Sequence, residues 1–191
     1  MESGEHYFTN LSGNNVCKYN QLLNFSRDFI NGTQKIPVVH LYGTGNNGKT
    51  VFMNFLINLA EQNGNKVIKI SNVNDLNLNK IFKMYGTDIR YIIIEELEDN
   101  SLKKISGIIK ELTGGDQQYY KGKIFTPKIN FVMISNMMIN SNNHDLGLMR
   151  RISPIVMDTI FTETHKDYEI SEKLLNNKNE IMQFITNHTD K

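Results

Sequence analysis

Gly43-Thr44-Gly45-Asn46-Asn47-Gly48-Lys49-Thr50 stands at the junction of two stretches with different periods, and that junction decides the fold. Upstream, Pro37-Val38-Val39-His40-Leu41-Tyr42 is a short apolar run bounded by a proline and a glycine, the pattern of a buried strand. Downstream, Val51, Phe52, Phe55, Leu56 and Leu59 recur at helical spacing, as far as Asn63-Gly64. The octet itself fits G-x-x-x-x-G-K-[ST]. Glycines in those places let successive backbone N–H groups turn inward around phosphate oxygens, and the helix N-terminus that follows adds partial positive charge. Lys49 is placed to reach the β- and γ-phosphates of a nucleoside triphosphate, and the Thr50 hydroxyl to bind Mg²⁺. ATP and Mg²⁺ are therefore the expected ligands, with Gly43, Thr44, Gly45, Asn46, Asn47, Gly48, Lys49 and Thr50 around the nucleotide.

Working outward, Leu22, Phe25, Phe29 and Ile30 make one apolar face, so a helix is expected within residues 18–36, stopped by Asn31-Gly32. Residues 1–17, punctuated by Ser-Gly and Ser-Gly-Asn-Asn, read as a loose lead-in. Lys66 to Ile70 alternates as a strand, and Leu76, Leu78, Ile81, Phe82 and Met84 suggest a helix ending at Gly86. Tyr91-Ile92-Ile93-Ile94 is a continuous apolar run, as in a central parallel strand covered on both faces, and Glu95 and Glu96 follow it. A helix carrying Leu102, Ile105, Ile109 and Leu112 runs into Gly114-Gly115, then Tyr119 to Phe125 reads as a hairpin turning at Lys121-Gly122-Lys123. Ile129 to Ile134 is another apolar strand, ending in Ser135-Asn136. A polar loop leads to Arg150-Arg151 and the strand Ile152 to Met157, and residues 158–191 close the chain with one or two helices. No linker divides it, so a single α/β domain is expected, with a motor core at 37–157, a mostly parallel sheet flanked by helices and a protruding hairpin.

The carboxylates at the end of Tyr91–Ile94 fall where open α/β sheets bind ligands. Glu95 is expected to hold the Mg²⁺ shell, and Glu96 to orient and deprotonate a water attacking the γ-phosphate. Asn136, a polar amide at a strand tip, can hydrogen-bond that water or the γ-phosphate. Arg150 and Arg151 are either a solvated pair or a source of one arginine across a subunit boundary, and spacing does not choose between them. Lys121 and Lys123 on a hairpin tip, with Tyr119, Tyr120 and Phe125 nearby, can grip a phosphate backbone, although the same pattern also describes a merely soluble turn. His40, His144 and the methionines show no ligand spacing and read as packing or surface residues.

The chain has 191 residues, 39% hydrophobic and 21% charged, with a net charge of +1, so no overall field draws it to nucleic acid or membrane. Its one cysteine, Cys17, excludes an internal disulfide framework and reads as a buried or idle thiol. No run approaches the ~18 apolar residues of a membrane span. The polar, acidic start is not that of a secretory signal.

Taken in order, these motifs resemble the superfamily 3 helicases, the AAA+-type motors of DNA viruses and plasmids. The resemblance covers about residues 37–157. Lys110-Glu111-Leu112-Thr113-Gly114-Gly115-Asp116, placed between Glu95-Glu96 and Ser135-Asn136, is most similar to the helicase half of poxvirus-type primase–helicases. The resemblance implies a P-loop NTPase of AAA+ type: an ATP-dependent DNA helicase working as a ring, usually a hexamer, with ATP at subunit interfaces and DNA gripped in the channel by Lys121 and Lys123. It implies Asn136 as sensor of the γ-phosphate and an arginine finger at Arg150 or Arg151. It also implies a viral or plasmid replication protein acting inside a host cell, not secreted, with no membrane partner, and either alone or as the motor part of a protein that works with a primase. In two places the pattern departs: Lys121 stands where relatives commonly have an arginine, and no proline follows Asn136 closely. A loader that remodels protein–DNA complexes without unwinding, or a nucleotide switch with little turnover, would use the same loop. The second carboxylate and the trans arginine favour the motor.

Overall fold

Continuous apolar strands need cover on both faces, and the arrangement of this chain supplies it. The computed structural model describes residues 3–140, 146–164 and 166–188. Its strands are β1 (Val38–Tyr42), β2 (Val67–Ile70), β3 (Tyr91–Ile94), β4 (Gln118–Tyr120), β5 (Lys123–Phe125), β6 (Asn130–Ser135) and β7 (Ile152–Val156). Five of them form the central sheet in the order β2-β3-β6-β1-β7, every pairing parallel, while β4 and β5 pair antiparallel as a separate hairpin.

Because side chains alternate across a strand, each sheet face builds its own core. Val39, Leu41, Tyr91, Ile93, Val132, Ile134 and Ile155 pack on one side with helices α1 (Gly4–Leu11), α2 (Val16–Asn31), α3 (Lys49–Gln62), α7 (Ile170–Asn176) and α8 (Lys178–Asn187). Val38, Ile92, Ile94, Phe131 and Met133 pack on the other with α4 (Leu78–Tyr85), α5 (Asp99–Thr113) and the short α6 (Leu146–Met149). The result is the helix-flanked parallel sheet expected from the sequence. Its parallel order also means that all five strands end at one edge, where β1, β6 and β3 lie side by side.

Three expectations need correction. Residues 4–11, expected to be a loose lead-in, form α1, capped by the Ser3 hydroxyl accepting from the His6 N–H, with Tyr7, Phe8 and Leu11 buried. The polar punctuation around it marks its two ends. Leu76 lies outside α4, between a 3₁₀ turn (Val73–Asp75) and the helix, because the Asn77 side chain caps α4 by accepting from the Lys80 N–H. Cys17, expected to be a buried or idle thiol, is free and exposed on α2, which removes the buried alternative. Residues 141–145 of the polar loop before Arg150, His144 among them, lie outside the described residues. Among those residues, no helix is long and apolar enough to cross a membrane.

Candidate functional site

The Gly43–Thr50 loop connects the end of β1 to the start of α3, whose first residue is Lys49. Gly48 caps that helix in the left-handed region (φ 79°) and, having no side chain, makes no bond to its first turn. The side-chain bond found there is long, Asn47 Oδ1 accepting from the Lys49 N–H at 3.5 Å. Gly43 is needed for a different reason. A Cβ there would lie 1.9 Å from the Met157 carbonyl oxygen, which belongs to the chain just beyond β7. That same carbonyl accepts from the Asn47 side-chain amide, and the Phe161 N–H donates to the Asn46 carbonyl at 2.8 Å. The segment after β7 therefore clamps the loop from outside.

Lys49 is 7% exposed and its ammonium is held by oxygens. It donates to the Gly43 carbonyl, to Asn47 Oδ1 at 3.0 Å, to the Thr44 carbonyl at 3.3 Å and to Asn136 Oδ1 at 3.5 Å. Burial pushes its pKa below the ordinary lysine value. Asn136 follows the last residue of β6, the neighbour of β1, so the parallel register brings the amide to the lysine.

β3 ends one strand farther on. Glu96 sits in the left-handed region (φ 53°), unusual for a non-glycine residue and costing about 1 kcal/mol or more. That turn separates the two carboxylates. Glu96 lines the cavity beside the loop, whereas Glu95 Oε1 pairs with Lys69 Nζ of β2 at 2.7 Å and does not line it.

The cavity measures about 580 Å³. Gly45 to Val51, Glu96, Ile134, Ser135 and Asn136 form its floor, and Gly43 and Thr44 contribute through the carbonyls that hold Lys49. The sequence reading missed the walls: His6, Tyr7, Asn10 and Leu11 of α1 on one side, Phe161, Lys166, Asp167 and Ile170 on the other. The Tyr7-Phe8…Leu11 spacing behind Ser3 was a usable signal for the first wall. No local pattern announces the second.

His40, read as a packing residue, is buried in β1, stacked on Tyr42 at 5.2 Å, and hydrogen-bonded through Nε2 to Ser135 Oγ at 2.7 Å. Burial lowers its pKa to about 4, so it is neutral at physiological pH.

The remaining candidates lie elsewhere. Arg150 and Arg151 precede β7, whose first residue is in register with Val38 at the start of β1. They therefore sit at the opposite edge of the sheet, roughly 16 Å along the strand from the loop at about 3.3 Å per residue. Arg151 is half-buried and donates to the Gly147 carbonyl, while Arg150 is exposed. The β4–β5 hairpin joins the C-terminus of α5 to the start of β6 and so is rooted at that same edge. Tyr120 and Phe125 anchor it on Phe82, at 5.7 and 5.4 Å between rings. Lys121 (φ 47°) and Gly122 (φ 79°) make its turn, Lys121 Nζ lies 5.3 Å over the Tyr120 ring, and Lys123 and Tyr119 are exposed.

Chemically, the cavity offers the Lys49 ammonium and a helix N-terminus for a polyanion, faced by the Asn136 amide and the Glu96 carboxylate. For a divalent cation it offers the Thr50 hydroxyl and Glu96, with Glu95 nearby but ion-paired. So few protein ligands suit Mg²⁺ only in company with phosphate oxygens.

A family model described as "Family of unknown function (DUF5906)" matches residues 41–151. No curated protein matches the chain. Among solved structures, an apo form of the NrS-1 C-terminal region aligns over 100% of this chain and 47% of its own, at 15% identity and a TM-score of 0.70. JCV helicase aligns over 95% of this chain and 52% of its own, at 16% identity and a TM-score of 0.53. The chain thus spans about half the length of these structures. At such identities the likeness is one of fold alone.

Proposed function

The chain belongs to the DUF5906 family, a family of unknown function, and for this member we propose the role of an ATP-dependent DNA helicase motor in viral or plasmid replication. The observation that carries the reading is the meeting of Lys49, Asn136 and Glu96 at one cavity, contributed by neighbouring strand ends far apart in sequence.

In this reading the β- and γ-phosphates lie along the Gly43–Thr50 loop, held by backbone N–H groups and Lys49, with the base between α1 and the segment around Phe161. Bound Mg²⁺, held by Thr50 and, directly or through water, by Glu95, would neutralise phosphate charge. Glu95 must share or give up Lys69 to do so. Glu96 accepts the proton of the attacking water, the bond from the γ-phosphorus to the bridging oxygen breaks, and nucleoside diphosphate and phosphate leave. Asn136, whose carbonyl oxygen faces Lys49, keeps its amide N–H₂ for the water or a γ-phosphate oxygen.

The placement of Arg150 at the far edge supports hydrolysis between subunits. It cannot reach its own cavity, so an arginine finger from this position serves a neighbour's site, as in a hexameric ring. Exposure favours Arg150 over Arg151 in that role. Lys121 and Lys123 on the anchored hairpin are the proposed DNA grip, with Tyr119 for base stacking. A switch needs neither a trans arginine nor a water-activating carboxylate, so the motor is the better reading. The test is strand displacement on forked DNA with sedimentation in parallel. The reading expects unwinding that requires ATP and accompanies assembly. Assembly and hydrolysis without unwinding would move the protein to the loader class.

A further inference from the structure

β1 carries a fully buried imidazole on a side of the sheet whose core is apolar. Alternation puts His40 on the same side as Val38, and His40 is 1% exposed. A buried imidazole persists only if its polar atoms find partners, and the partner found here is Ser135. The Ser135 hydroxyl donates its one proton to the Met137 carbonyl, so its oxygen must accept, and His40 donates through Nε2. The Ser135 carbonyl in turn accepts the Gly43 N–H at 3.3 Å. Ser135 is thereby tied to β1 twice, once through a side chain and once through the first residue of the loop. Its bond to Met137 closes a turn around the residue between them, Asn136.

We propose that His40 and Ser135 are a buried positioning pair that sets Asn136 against Lys49. Asn47 anchors Lys49 from the β7 side through the Met157 carbonyl, and His40 anchors Asn136 from β1. The two groups meant to meet the γ-phosphate thus keep a fixed spacing, 3.5 Å between Lys49 Nζ and Asn136 Oδ1. The stack on Tyr42 sets the ring plane, and the lowered pKa keeps the ring neutral, so the pair is a strut and not a pH switch. This inference rests on the functional reading above.

The test is a double-mutant cycle on ATP hydrolysis, with nucleotide affinity read separately by a fluorescent ATP analogue and folding by thermal melts. His40→Leu is expected to lower kcat about ten- to a hundredfold through misplacement of Asn136. Nucleotide affinity should stay within about twofold, and kcat should fall by no more than about twofold when the change is added to Asn136→Ala. His40→Gln, which keeps a donor at similar reach, should recover most of the rate. His40→Leu with Ser135→Ala removes both polar groups together, leaves no orphaned hydroxyl, and should fold yet remain slow. Effects of His40→Leu and Asn136→Ala that multiply in full would overturn the proposal, as would an unchanged kcat or a loss of affinity matching the loss of rate. Failure of both apolar variants to fold while His40→Gln folds would overturn it too, since the pair would then serve the fold alone. A wild-type chain without ATP hydrolysis fails the functional reading itself, in the first measurement, and this inference falls with it.

Discussion

At the scale of single residues, the loop shows how one residue type serves different needs. Gly43 faces the Met157 carbonyl with no room for a Cβ, whereas a Cβ at Gly45 would meet nothing within 4 Å. Gly43→Ala must displace backbone on one side or the other and should destabilise the protein by about 1–3 kcal/mol. Gly45→Ala should melt within about 0.5 kcal/mol of wild type. Thermal melts of the two variants side by side check this, and equal stability would mean that the β7 clamp on the loop is not made. The G-x-x-x-x-G-K-[ST] pattern treats the two glycines differently, since only Gly43 is one of its fixed positions, but it gives no packing reason for the difference. That reason lies in Met157, more than a hundred residues away.

At the scale of elements, α1 decides whether the loop sits on an open surface or in a cavity. Phe8 is fully buried, edge-on to Phe52 of α3 at 6.1 Å and to Tyr19 of α2 at 6.5 Å, and Tyr7 meets Phe55 at 6.4 Å. Phe8→Ala should cost about 3–5 kcal/mol. If α1 also walls the nucleotide, the same variant should lose ATP affinity at temperatures where it remains folded, which a binding titration beside the melt would show. Unaltered affinity would take α1 out of the site. The strands, α2, α3 and α5 were legible because each carries a full apolar face at a clear period, and the hairpin because Lys-Gly-Lys breaks one. α1 is only eight residues long, its buried stripe of Tyr7, Phe8 and Leu11 lying between runs of turn-forming residues, so composition outweighed periodicity there. Glu95 and Glu96 took different roles from their order in the sequence alone. The ion pair of Glu95 with Lys69 was not legible, since it depends on a single left-handed residue that turns the two carboxylates apart.

Across the whole molecule, the parallel sheet sorts the candidates onto two edges. The glycine loop, Glu96 and Asn136 share the carboxyl edge, and Arg150, Arg151 and the lysine hairpin belong to the other. The order of elements in the sequence was enough to expect a sheet with its site at one edge. It could not place the arginines, because they precede a strand whose direction relative to β1 the sequence leaves open, and only the parallel pairing of the two puts them at the far edge. Their position predicts a cross-subunit effect. Mixing wild type with Arg150→Ala should depress ATPase below the straight line expected from dilution, as one defective copy disables its neighbour's site. A linear mixing curve would contradict hydrolysis between subunits while leaving the cavity's own chemistry intact. The measurement that reaches the centre of the account is steady-state ATP hydrolysis by wild type and Lys49→Ala with Mg²⁺ present. Wild type should turn over, and Lys49→Ala should be slower by at least about a hundredfold while melting like wild type. Equal turnover in the two proteins, or none in wild type, would contradict the claim that this loop holds a triphosphate for hydrolysis.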